Sequence, residues 1–189
     1  MSALFPFGAK PLGFSKETIE YELQHAAKLH NKNRGELAEL AFMRKAASLG
    51  FSVAKPWGES ERYDVVVRSE RVFWRVQIKS VWRTAPTRGH YRVRTVNCLE
   101  ICYTPDEIDF LVAYVFHEHS WYVFPVSIIG NRKAVFITPG STKSRYEQYR
   151  EAWKLMRAGI SESADGETGG QAKPAAADAA PAELVQLLL

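Results

Sequence analysis

The chain has 189 residues, 46% hydrophobic and 12% aromatic, a composition that supports one domain with a sizeable core. No stretch approaches the roughly 18 apolar residues of a membrane span, the start "MSALFPFGAKPLGF" argues against export, and two cysteines are too few for a disulfide framework, so a cytoplasmic protein with reduced thiols is expected. The net charge of +4 is uneven: 24 basic and 16 acidic residues precede Gly159, whereas one lysine and five acids follow, so the body favours a polyanionic partner such as nucleic acid.

Residues 1–158 read as one compact unit with an N-terminal helical extension. Ser15 suits the N-cap of a first helix carrying Ile19, Leu23, Ala26 and Ala27 at helical spacing. "HNKNRG" interrupts it, and a second helical pattern runs from about Arg34 to Leu49, where Gly50 stops it. Strand-like runs follow at 51–55, 63–68, 72–80 and 90–96, the second and third joined by "SER" as a hairpin. "TPDE" at 104–107 reads as one short turn with Pro105 at a helix-start position. Two more β-rich runs, 109–116 and 121–129, are linked by "HEHS", and a final amphipathic helix is expected over 144–158. The order predicts an α/β fold, a mixed sheet flanked by helices. Residues 159–189, rich in Ala, Gly and Pro and acidic, are expected to form a disordered tail.

The strand "FWRVQIKS" holds an oddity. Side chains two apart share a face, so Trp74, Val76 and Ile78 form one apolar side, while Phe73, Arg75, Gln77 and Lys79 form a side that begins greasy and ends polar. Two further polar residues stand in apolar company. Glu39 shares a helical face with Phe42, Met43 and Ala46, where a carboxylate is costly unless paired or metal-bound. Asp64 heads "DVVV", a strand apolar enough to be buried, and the hairpin brings it within reach of Gln77 and Lys79.

These groups suit phosphodiester hydrolysis. A hard cation such as Mg²⁺ (or Mn²⁺) takes oxygen ligands and only one or two carboxylates. Asp64 supplies the main carboxylate, Gln77 a neutral oxygen, Ile78 its backbone carbonyl, and Glu39 a second acid. Such an ion acidifies a bound water, and Lys79 orients that water or neutralises developing charge. The plainer readings are an ion pair for Glu39, a turn residue at Asp64 and a solvated strand end at Lys79.

In this arrangement the chain resembles the PD-(D/E)XK nucleases, with their restriction-endonuclease-like core. Glu39 in "GELAE", Asp64 in "RYDVVV", and Gln77 with Lys79 in "VQIKS" match that family's helix acid, strand Asp and Glu-x-Lys. Gln77 departs from the usual acid, and is the variant of a subgroup, the bacterial group I intron homing endonucleases of this type. That subgroup also shows a later Asp-Phe, a Tyr and "W-Y-V-x-P", here Asp109-Phe110, Tyr114 and residues 121–125. The resemblance spans about Lys32 to Ile129. It implies a metal-dependent DNA endonuclease acting on double-stranded DNA as a homo-oligomer. A repair or junction-resolving nuclease, and a non-catalytic DNA-binding module, are the alternatives.

Arg83, Arg88, Arg92 and Arg94, with Lys55, are the candidate nucleic-acid contacts. Arg92 and Arg94 share one strand face, which reads as a backbone-contacting stripe that gives salt-sensitive affinity. A zinc site from Cys98, Cys102, His117 and His119 is set aside in favour of core thiols and exposed hairpin histidines.

Overall fold

The computed structural model describes residues 24, 25, 28–58, 60–82 and 90–157. The expected first helix lies almost wholly outside them, as do Arg83, Arg88 and the tail from 159. Among the described residues no helix is long and apolar enough to cross a membrane.

Helix α1 spans Asn31–Ser48, beginning three residues earlier than the pattern suggested. It ends at Leu49, followed by Gly50 at φ 86°, a conformation that favours glycine. Ala38, Phe42 and Ala46, one turn apart in succession, form its fully buried face. The central sheet follows: β1 (Ser52–Ala54), β2 (Val65–Ser69), β3 (Val72–Val81), β5 (Phe110–Val115) and β6 (Ser120–Pro125), in that spatial order. β3 and β5 run parallel, and every other neighbouring pair is antiparallel. The expected β2–β3 hairpin is present, with Glu70 taking the left-handed turn at φ 54°. A separate two-stranded ribbon pairs β4 (Tyr91–Arg94) with β7 (Ala134–Ile137).

Alternation along the strands divides the interior into two layers. Val76, Ile78, Phe110, Val112 and Tyr114 meet α1 on one face of the sheet. Val81, Leu111, Ala113 and Val115 meet the β4–β7 ribbon on the other. All six residues of β5 are buried, as befits a central strand covered on both sides.

Three expectations are corrected. Residues 144–158 form two short 3₁₀ turns, Glu147–Tyr149 and Trp153–Met156, in place of one amphipathic helix. Tyr146 packs in the ribbon-side layer, whereas Ala152, Trp153 and Met156 pack in the helix-side layer. The segment wraps the edge strand β6, and Glu151 turns the corner at φ 49°, its N–H donating to Trp121 O at 2.8 Å. A straight helix cannot cover both faces of a sheet. The strand expected over 121–129 stops at Pro125 and continues as a short helix, α2 (Val126–Ile129), whose first N–H donates to Asp109 O. Finally, Cys98 is exposed and Cys102 half-buried, so neither is a core thiol, and of the hairpin histidines only His117 is exposed. His119 lies half-buried, with Nδ1 3.2 Å from the Tyr114 hydroxyl.

Candidate active site

β2 begins one residue after Asp64 and pairs with β3 only as far as Val76. Residues 77–81 of β3 therefore have β5 beside them and, among the described residues, no strand paired on the other edge, which leaves a notch in the sheet. Backbone groups at a notch need partners from elsewhere. Asp64 supplies one: its N–H donates to Val76 O at 3.0 Å, and its Oδ2 accepts from Ile78 N at 2.7 Å. Gln77 Nε2 donates to the same Oδ2 at 2.5 Å and lies 3.3 Å from Ile78 O. Asp64, Gln77 and Ile78 are thus in direct contact.

Lys79 leaves β3 on the same side as Gln77, opposite to Val76 and Ile78. Its Nζ donates to Tyr103 Oη at 2.9 Å and stands 5.0 Å from the centre of that ring. Glu39 approaches from α1, on the other face. Its Oε2 accepts from Lys55 Nζ at 2.8 Å, so Lys55, a candidate DNA contact, is in the first place the partner of Glu39. The two faces meet at Asp64. Burial pushes its carboxyl up to about 6, with the Glu39 charge adding, while the Ile78 N–H, Lys79 and Gln77 pull downward. Burial likewise draws the Lys79 ammonium below the usual lysine range, opposed by the charge of Asp64. Burial holds the Tyr103 phenol above its usual value, so it stays protonated and receives the lysine proton as an acceptor.

The oxygen set fits a hard divalent cation. Both hydrogen bonds to Asp64 fall on Oδ2, and Asp64 and Glu39 line one cleft of about 280 Å³. The Ile78 carbonyl and the Gln77 amide are not part of that cleft's lining; through their contacts with Asp64 they would add one backbone and one amide oxygen to the two carboxylates. Among the described residues no three His, Cys, Asp or Glu side chains gather as a metal cluster, so any cation here depends on the neutral oxygens. Gln77 faces two acceptors with its nitrogen, as electrostatics requires, and offering Oε1 to a cation calls for a half-turn of the amide.

A second cleft, about 1050 Å³, adjoins Lys79 and Ile78 and is walled by Arg92 and Arg94 of β4 and by Trp82. Arg34 of α1 lies over the Trp82 ring. Arg92 and Arg94 are exposed and alternate with buried Tyr91 and Val93, as their spacing implied. Tyr103 went unread in the sequence. It sits in the irregular run "ICYTPDE", and nothing local marks it as the partner of a lysine 24 residues away.

A family profile described as PD-(D/E)XK endonuclease matches residues 29–156, about two thirds of the chain. The chain belongs to the PD-(D/E)XK endonuclease family. The matched span runs from just ahead of α1 to the last described 3₁₀ turn, so it contains Glu39, Asp64, Gln77 and Lys79. A solved bacterial homing endonuclease, I-Ssp6803I, is similar to it in structure, with a TM-score of 0.62 and 32% sequence identity. The alignment covers 67% of this chain and 93% of that one. No curated protein matches. The α/β architecture of this PD-(D/E)XK chain, with its mixed sheet, agrees with the resemblance read from its motifs.

Proposed function

We propose that this chain is a divalent-cation-dependent endonuclease that hydrolyses phosphodiester bonds in double-stranded DNA. Mg²⁺ is the expected cofactor, with Mn²⁺ an acceptable substitute. The observation that carries this reading is the contact of Asp64 with both Gln77 and Ile78, with Lys79 next on the same side of β3, in a chain of a nuclease family.

A bound Mg²⁺ supplies an acidified water and a counter-charge for the phosphate. Asp64, the Ile78 carbonyl, Gln77 Oε1 and Glu39 would hold it. Lys79, steadied by Tyr103, presents its ammonium to the attacking water or to the developing phosphorane charge. Arg92 and Arg94 lie in the adjoining cleft and suit a DNA strand bound there. The described residues carry one such constellation, and cutting both strands calls for two, so the active form is a homo-oligomer.

A second reading has its own support. Gln77 stands where the family's usual acid would, which removes a negative charge from the cation's ligand set and suits a DNA-binding module that has kept the fold and lost the chemistry. Supercoiled plasmid and a random duplex library, each incubated with Mg²⁺, separate the two. The nuclease reading expects Mg²⁺-dependent nicking followed by linear product, the second cut accelerating with protein concentration. Asp64→Ala and Lys79→Ala each lower the rate by at least about 100-fold, the scale of losing one transition-state contact. Undiminished cutting in both variants would falsify the site. Wild-type protein that binds duplex with a steep salt dependence and never cuts establishes the module.

A further inference from the structure

The β4–β7 ribbon stands apart from the central sheet. Its inward residues, Tyr91, Val93, Val135 and Ile137, are all at most 5% exposed and form part of the ribbon-side core. Its outward residues are Arg92 and Arg94 on β4, with Ala134 and Phe136 opposite them on β7. The register pairs Arg92 with Phe136 and Arg94 with Ala134. Phe136 is 52% exposed, an expense that this fold avoids at the other three β7 positions.

A phosphate-contacting stripe explains the arginines and leaves Phe136 without a role, because a phosphodiester offers an aromatic ring no favourable contact. Base edges in the major groove offer both chemistries. Guanine presents two acceptors to one arginine fork, and the thymine methyl takes an apolar side chain. The dimensions also agree: two strands lie about 4.8 Å apart, and the major groove, about 12 Å wide, admits a two-stranded ribbon. Arg92 and Arg94 line the same cleft as Lys79, so a phosphate beside Lys79 and a base edge at the ribbon belong to one ligand.

We infer that the outward face of the β4–β7 ribbon enters the major groove of duplex DNA and reads base edges there through Arg92 and Phe136. Arg94 is already tied to Glu100, so it serves the approach more than the reading. The inference rests on the DNA-directed reading above, but not on cleavage.

The test measures binding, with EDTA present so that cutting does not intervene. Duplexes retained by the full chain from a random library are sequenced, and affinity is measured for the selected duplex and for a scrambled one. Wild type is expected to prefer a defined sequence. Phe136→Ala weakens the selected duplex by at least about fivefold, the lower end of one base contact, and leaves the scrambled duplex and the salt slope unchanged. Arg92→Lys keeps the charge and loses the two-pronged fork, so it too lowers selectivity more than general affinity. The inference is overturned if no sequence is preferred. It is also overturned if Phe136→Ala binds the selected duplex like wild type, or if Arg92→Lys loses the two duplexes equally. Sequence-selective binding by a protein that never cuts would sink the nuclease reading and leave the ribbon's role standing. A protein that binds no duplex at all sinks both.

Discussion

Asp64 is held in an uncomfortable position. It is half-buried, and Glu39 adds a like charge nearby, so its carboxyl is pushed up to about 6 against roughly 3.9 in an unfolded chain. A raised acid binds its proton more tightly in the folded state. Its contribution to stability is therefore greatest at and below about pH 4 and is lost as pH rises through 6. At neutral pH the ionised form costs on the order of 1–3 kcal/mol, from about 1.4 kcal/mol per pKa unit. Asn keeps an acceptor for the Ile78 N–H and carries no charge. Asp64→Asn is thus expected to unfold at higher denaturant concentration than wild type at pH 7.5, with the gap closing by pH 4.5, while cleavage is lost. Urea midpoints at the two pH values measure it, and a variant less stable than wild type at pH 7.5 contradicts the account. The same sign governs the metal: a cation needs the carboxylate, so its affinity falls as pH drops below about 6. On the proposed reading, the carboxylate that a cation needs is kept at the expense of stability.

Between elements, one clamp stands at the start of the parallel pairing of β3 and β5. Arg75 donates its N–H to Asp109 Oδ2 at 2.7 Å and its guanidinium to both carboxylate oxygens, while Asp109 N–H returns to Arg75 O at 2.9 Å. Burial works against the Asp109 charge, but its bonds to Arg75 outweigh this and hold the carboxyl below its usual range. The linkage has the opposite sign to that of Asp64: this stability is present above about pH 4 and lost as pH falls through the lowered value. Asp109→Asn should cost about 2 kcal/mol at pH 7, the scale of hydrogen bonds to a charged partner. Chemical unfolding at pH 7 tests this, and a midpoint equal to wild type would remove the clamp from the account. Asp109 was legible in the sequence only as part of "DF"; its partner was placed with Gln77 and Lys79 on one strand face, and nothing local said that it would turn to another strand. The contact of Asp64 with Gln77 and Ile78 was legible because they lie on one hairpin, where spacing fixes proximity. An ion pair for Glu39 was one of the plainer readings, but its partner Lys55, like Tyr103, depends on longer-range placement that periodicity does not carry. The last segment misled for a related reason. Tyr146, Tyr149, Trp153 and Met156 have helical spacing, but that pattern cannot say that the two halves serve opposite faces of the sheet. β7 escaped notice because four residues make a weak signal, and its partner β4 lies some forty residues upstream.

Across the whole molecule, charge is divided between a body and a terminal stretch. Through residue 158 the basic excess is eight, and residues 159–189 bring the total back to +4. The excess includes Arg92 and Arg94 beside Lys79 in the large cleft, where a polyanion would neutralise it. Phosphate contacts of this kind release counterions, so affinity should fall steeply and linearly on a log–log plot against salt. Five acids tethered to the same chain are expected to compete with DNA for the basic surface at a high effective concentration. A chain ending at residue 158 retains the whole family-matched span, 29–156, and should fold. It is expected to bind a scrambled duplex severalfold more tightly than the full chain at low salt. Near 0.15 M the screening length shrinks to about 8 Å, and the difference should narrow there. Fluorescence anisotropy across a salt series measures both effects. If the two chains bind identically at low salt, the acidic stretch does not act on the basic face. If the gap persists undiminished at high salt, its influence is a specific contact and not a long-range field.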